Sequence, residues 1–228
     1  MFDPLSRAML SDSAESAVPA WMAGVLDELA AGAGGVAGVR HPLGFVCLPL
    51  ERDGEQGVCV HIWSDRLAGA RPTTSGTHAH SWDLTSFVLY GALRNVLVGV
   101  IDAPERPTHR VFEVNSGPDG DEIRRTQRLV RRHTRASELY RCGDVYTLPA
   151  GVFHETAPHG EVVTVAIGRG RAGTADFTLG AVDTETHRVS RQLCDRAETA
   201  YAAAVAIELL ASVPQQRQRE DRCEHSRP

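Results

Sequence analysis

Apolar positions along the chain change their period twice. Over residues 17–33 (AVPAWMAGVLDELAAGA), Trp21, Val25, Leu26 and Leu29 recur at helical spacing, which predicts one helix with these side chains on a single face. Gly32, Gly34 and Gly35 end it. The residues before it, 1–16, are polar and predict a frayed end. From Val36 onward, short apolar runs alternate with turn formers, the pattern of a sandwich or barrel. The predicted strands are 44–50, 57–63, 84–90, 94–101, 110–115, 127–134, 144–148 and 162–167, with a further one near 176–182. Asp53-Gly54 marks a hairpin between the first two. Ser116-Gly117-Pro118-Asp119-Gly120 is almost wholly turn formers and predicts a loop.

The period returns to helical over residues 195–213. Asp195 is placed to cap this helix, with Glu198 three residues on as in a capping box. Tyr201, Val205, Leu209 and Ser212 mark one face, and Pro214 stops the helix. Ala200, Ala202, Ala203, Ala204 and Ala206 allow close approach to a barrel wall or to a second subunit. The organisation expected is one domain: a tail and helix over 1–35, a β-barrel over 36–190, a helix over 191–213 and a disordered tail over 214–228.

Composition narrows the function classes. The chain has 228 residues, 42% of them hydrophobic, enough for a proper core. A net charge of −5 argues against nucleic acid as a partner. The cluster Arg124, Arg125, Arg128, Arg131, Arg132 and Arg135 reads as a solvated face. All 24 basic residues are arginine, so Schiff-base and lysine general-base chemistry are excluded. Cys47, Cys59, Cys142, Cys194 and Cys223 are odd in number and scattered, which predicts reduced thiols in a cytoplasm. No apolar run approaches the roughly 18 residues of a membrane span.

Two segments carry candidate chemistry. The first is Gly76-Thr-His78-Ala-His80-Ser-Trp82-Asp83-Leu84, running on to Tyr90-Gly91. On a strand, His78 and His80 point to the same side. The second is Gly143-Asp-Val-Tyr-Thr-Leu-Pro149-Ala-Gly151-Val-Phe-His154, in which a Pro-x-Gly turn delivers a histidine just after a strand. The pair of segments resembles the cupin superfamily. That family's first motif is His-x-His, three or four residues, Glu, six residues, Gly; its second is Gly, five residues, Pro-x-Gly, two residues, His. Gly143, Pro149, Gly151 and His154 match the second at every step. In the first, Leu84 stands where the glutamate would fall, and Gly91 closes the count. Pro72 and Pro158 stand where the motifs place an outer Gly and a final Asn.

The resemblance covers about residues 40–180 and implies an all-β, jelly-roll barrel with flanking helices, most simply a homodimer. Carried over residue by residue, it implies a three-histidine metal site of His78, His80 and His154. Such a set suits Fe(II) first, with Zn, Ni, Mn or Cu also accepted, and leaves coordination positions open for a small-molecule substrate. Cysteine dioxygenase and other thiol dioxygenases are similar in using three histidines and ferrous iron.

Around the site, three further residues are candidates for catalysis: Tyr90, Asp83 and His61. Asp83 is open to three readings: a fourth ligand, an acceptor that orients a ligand histidine, or an ion-pair partner of an arginine. His61 shares its strand face with Cys59 and Trp63 and reads as a core or orienting histidine rather than a ligand. On the strand after the site, Leu84, Ser86, Val88 and Tyr90 share the inward parity, and Phe87 and Leu89 face the other way. Tyr90 and Tyr146 could line the pocket or lie buried with satisfied hydroxyls. His41, His109, His133, His159, His187 and His225 read as surface or loop residues.

Overall fold

The computed structural model describes residues 1–117 and 120–213. The predicted tail 214–228, and Pro118 and Asp119 of the predicted loop, lie outside the described residues. Among the described residues three helices are seen: α1 (Phe2–Met9), α2 (Ala14–Ala30) and α3 (Arg196–Ala211). The strands are β1 (Val39–His41), β2 (Phe45–Asp53), β3 (Gln56–Trp63), β4 (His78–Ala79), β5 (Trp82–Tyr90), β6 (Ala92–Asp102), β7 (His109–Gly117), β8 (Gly120–Arg141), β9 (Val145–Leu148), β10 (His154–Pro158), β11 (Val162–Gly170), β12 (Asp176–Gly180), β13 (His187–Ser190) and β14 (Gln192–Leu193).

The strands form two antiparallel sheets. One runs β14-β1-β2-β3-β11-β5-β9 and the other β13-β8-β6-β10-β4-β12-β7. The Asp53-Gly54 turn joins β2 to β3, with Asp53 opposite Gln56 and Gly54 at φ +53°. The long strand β8 pairs β7 along its first half and β6 along its second, and Val130 faces both His109 and Asp102 where it changes partner. Its arginines lie on the solvent side: Arg124 pairs with Glu113, Arg125 with Glu185 and Arg128 with Asp102.

Alternation, interrupted at two bulges, divides the first sheet into two faces. Val58, Val60 and Ile62 of β3, Phe87 and Leu89 of β5, and Val163, Val165 and Ile167 of β11 pack against the helices. Trp63, Leu84, Val88, Tyr146, Leu148, Val162 and Ala166 form a second cluster with Leu93 of the opposite sheet. Full burial of each large side chain contributes about 1.5–3 kcal/mol.

The N-terminal segment corrects the sequence reading. Residues 2–9 are not frayed: Phe2, Leu5 and Met9 recur at helical spacing and are buried against α2 and the sheet. Helix α2 starts at Ala14 and buries Val18, Met22, Leu26 and Leu29, with Trp21 and Val25 half-buried on its flank. Asp195 caps α3 through the expected capping box with Glu198. The buried face of α3 is Thr199, Ala202, Ala203, Val205, Ala206 and Leu209, whereas Tyr201 is 52% exposed. The small residues let α3 pack closely on α2 of the same chain.

Candidate metal centre

The two histidine segments meet on the second sheet. β4 is a two-residue strand held on both sides: His78 stands opposite His154 of β10 and opposite Thr178 of β12. Alternation sends Ala79 into a separate cluster with Phe153 and Leu179, so His78 and His80 share the other side. The Pro149–Gly151 turn is latched to this region. Gly151, at φ +76°, donates its N–H to the His80 carbonyl at 2.8 Å, and the Ala150 N–H donates to Asp83 Oδ1 at 2.9 Å. A side chain at Gly151 would be strained in that left-handed conformation.

The three rings converge. Centroid separations are 4.8 Å for His78–His80, 4.3 Å for His78–His154 and 4.8 Å for His80–His154. One nitrogen from each lies within 4.8 Å of the others, and the Nε2 atoms of His78 and His80 are 3.0 Å apart. His78 Nδ1 lies 2.9 Å from the Gly76 carbonyl and His154 Nδ1 lies 3.0 Å from the Val152 carbonyl. A carbonyl only accepts, so Nδ1 carries the proton in both and Nε2 keeps its lone pair. His80 is oriented differently: it stacks on Trp82 at 4.0 Å and 3°. Gly168 makes room for that indole, since a Cβ there would sit 2.9 Å from Trp82 Cε3.

Electrostatics keep the rings neutral. Burial, then His78, holds His154 down to about 3. Burial, then His78 and His154, holds His80 well below the usual imidazole range. His78 is also lowered by burial, opposed by the Gly76 hydrogen bond and by Asp176 and Glu155. Neutral imidazole is the ligating form, and three such rings around one point suit a cation. Among the described residues the histidine cluster contains no carboxylate, and Leu84 is buried in the inter-sheet cluster.

The other predicted residues fall in different places. Asp83 is not in the cluster: besides Ala150, it accepts from Arg171 Nε at 2.6 Å, which makes it the tie between β5 and the turn before His154. Tyr90 departs from its predicted inward parity and packs with the helix-facing cluster. The cause is an irregularity in pairing, where Val163 faces Tyr90 but Thr164 faces Val88, so the alternation slips by one residue. Tyr146 is buried between the sheets, its ring 4.8 Å from that of Tyr140, and burial raises its pKa. His61 lies on the inter-sheet face, 4.5 Å from the Phe45 ring and 5.9 Å from Trp63, with Nε2 3.1 Å from Cys59 Sγ.

Two features escaped the sequence reading. His41 is not a surface residue: it stacks on Phe45 at 4.3 Å, and burial, then His61 and His78, holds it down to about 3. Cys47 and Cys59 are not scattered but adjacent to His61. The His-x-x-x-Phe spacing of His41 and Phe45 in a turn gave no signal of stacking. Cys59-x-His61 did give one, because alternation puts both on one face.

No family model and no curated protein matches the chain. Among solved structures, it is similar to a cupin superfamily protein from Desulfitobacterium hafniense, at 11% identity and a TM-score of 0.33, over 56% of this chain and 78% of that one. It is also similar to hydroquinone 1,2-dioxygenase from Sphingomonas sp. TTNP3, at 12% identity and 0.32, over 54% and 65%. A third is hydroxypropylphosphonic acid epoxidase from S. wedmorenis, at 12% identity and 0.35, over 58% and 55%. No helix among the described residues is long and apolar enough to cross a membrane.

Proposed function

We propose that this chain is a cupin-type, metal-dependent oxygenase that holds Fe(II) at His78, His80 and His154 and oxidises a small organic molecule. The observation that carries the reading is the convergence of three neutral imidazoles, with two Nδ1 protons pinned by backbone carbonyls and Leu84 where a carboxylate would otherwise stand. A ferrous ion on these nitrogens supplies Lewis acidity and one-electron redox chemistry towards dioxygen. The chain's own residues do the rest. The Gly76 and Val152 carbonyls hold the ligating tautomers. Asp83 holds the turn that presents His154. Leu84 and Val88 keep the approach apolar, while Ser86 and Tyr146 offer hydroxyls for orienting a substrate.

The test is elemental analysis of anaerobically purified wild type and His80→Ala, followed by oxygen-uptake screening. Near-stoichiometric iron in the wild type, lost in the variant, is the expected result. Zinc or nickel at the same residues with no oxygen uptake would sink the oxygenase reading and turn it to Lewis-acid chemistry. Full activity in His154→Ala would remove the site from catalysis altogether.

A further inference from the structure

The inter-sheet face of β2 and β3 carries a second cluster of metal-ligating side chains. Cys47 stands opposite His61, and Cys59 precedes His61 by two positions, so backbone geometry alone puts all three on one face. That arrangement depends on a bulge. From the turn, the pairs run Asp53↔Gln56, Arg52↔Gly57 and Glu51↔Val58; beyond the irregularity they run Pro49↔Cys59, Leu48↔Val60 and Cys47↔His61. Leu50 is the extra residue. Without it, Cys47 would stand opposite Ile62, on the side that faces the helices.

The ligand atoms are already gathered. The two Sγ atoms and one His61 nitrogen lie within 4.8 Å of one another, and His61 Nε2 is 3.1 Å from Cys59 Sγ. Tetrahedral zinc bonds sulfur at about 2.3 Å and nitrogen at about 2.0 Å, which needs neighbouring ligand atoms about 3.5–3.8 Å apart. A second, independent observation lies beside them. Thr164 is fully buried, stands directly opposite His61 on β11, and its Oγ1 has no hydrogen-bond partner among the described residues. Such an orphaned hydroxyl is costly unless something polar faces it.

Charge favours a divalent ion. Two thiolates and one imidazole around a dication make a neutral unit, which can be buried beside Phe45 and Trp63 without an uncompensated charge. Thiolate sulfur selects soft, thiophilic ions over magnesium or calcium. We propose that Cys47, Cys59 and His61 form a second metal site, separate from the three histidines, that binds a thiophilic divalent cation such as zinc and turns its open fourth position towards Thr164.

Cobalt is the probe, because only thiolate ligation gives a sulfur-to-cobalt charge-transfer band in the near ultraviolet. The full-length, reduced protein is titrated with Co²⁺ alone, as wild type, as Cys47→Ser/Cys59→Ser and as His80→Ala. The expected result is a charge-transfer band in wild type, its loss in the double serine variant and its retention in His80→Ala. That last arm separates this site from the three-histidine reading, whose failure would leave the band untouched. A wild type without the band, or a band that survives in the double variant, would overturn the proposal. A measurement on wild type alone guards against misfolding of the variant: Zn²⁺ is added before alkylation, and modified peptides are mapped by mass spectrometry. Protection of Cys47 and Cys59 at least tenfold beyond that of Cys142 supports the site. Equal alkylation with and without zinc, or a Cys47–Cys59 disulfide that yields no cobalt band after reduction, refutes it.

Discussion

The two faces of one sheet obey different rules. Towards the helices, β3, β5 and β11 present Val58, Val60, Ile62, Phe87, Leu89, Val163, Val165 and Ile167, all apolar and all buried. Towards the other sheet the same strands present Cys59, His61, Ser86 and Thr164 among aromatic and aliphatic neighbours. The first face contributes stability through area and packing density. The second gives up some of that stability to hold polar groups, one of them without a hydrogen-bond partner among the described residues. Because residues alternate, both functions are written into the same strands one position apart, and each can be damaged alone.

Phe87→Ala is the largest expected break on the helix-facing side. It should cost about 3–5 kcal/mol by urea unfolding, through lost burial and a cavity. Metal content of the folded fraction should stay at the wild-type level. His154→Ala inverts this outcome. Metal binding should weaken by at least about 100-fold in equilibrium dialysis, more than loss of an outer-shell partner would cause, while the helix signal by circular dichroism is kept.

The third test uses pH on metal-free protein. His154 has its folded pKa lowered from 6.5 to about 3, mainly by burial. The unfolded chain therefore takes up a proton below about 6.5 that the folded chain refuses. Stability is fully present above that pH and falls as pH drops towards about 3, by up to about 1.4 kcal/mol per pH unit for this one group. Urea midpoints measured across the window should show a slope shallower by about one proton in His154→Ala. An unchanged slope would mean that His154 does not titrate as a buried neutral imidazole.

Smaller effects separate positioning from packing. Asp83→Asn keeps the acceptor for the Ala150 N–H but loses the charge facing Arg171, and should weaken metal binding about tenfold. Dialysis of this variant against the ion bound by wild type checks it. Asp195→Ala removes the cap of α3 and should cost about 1 kcal/mol in thermal or urea unfolding, with metal content unchanged.

Much of this division was legible in the sequence. Val58, Val60 and Ile62 alternate with Cys59, His61 and Trp63, so the two faces of β3 follow from period alone. The spacing of Gly143, Pro149, Gly151 and His154 pointed to the histidine cluster because a turn and a short strand fix that geometry locally. The parts that were missed depend on pairing between strands. Counting back from the Asp53-Gly54 turn without a bulge puts Cys47 on the wrong face, and nothing in Leu50 announces the extra residue. Tyr90 was misplaced for the same reason, by a bulge in its own strand β5, where Leu89 is the extra residue opposite Val163 and Thr164 of β11. Residues 2–9 were passed over because Phe2, Leu5 and Met9 are the only large apolar side chains there, and little more than two turns carry a weak periodic signal.

Between the end of β3 at Trp63 and His78, residues 64–77 run without a strand. Yet the chain before the crossing is bound to the chain after it, since β3 is laddered to β11 along its whole length, β1 pairs β14, and α2 packs on α3. A protease nick in that crossing should therefore not release a fragment: the piece carrying β1–β3 and the piece carrying His78, His80 and His154 would migrate together until denatured.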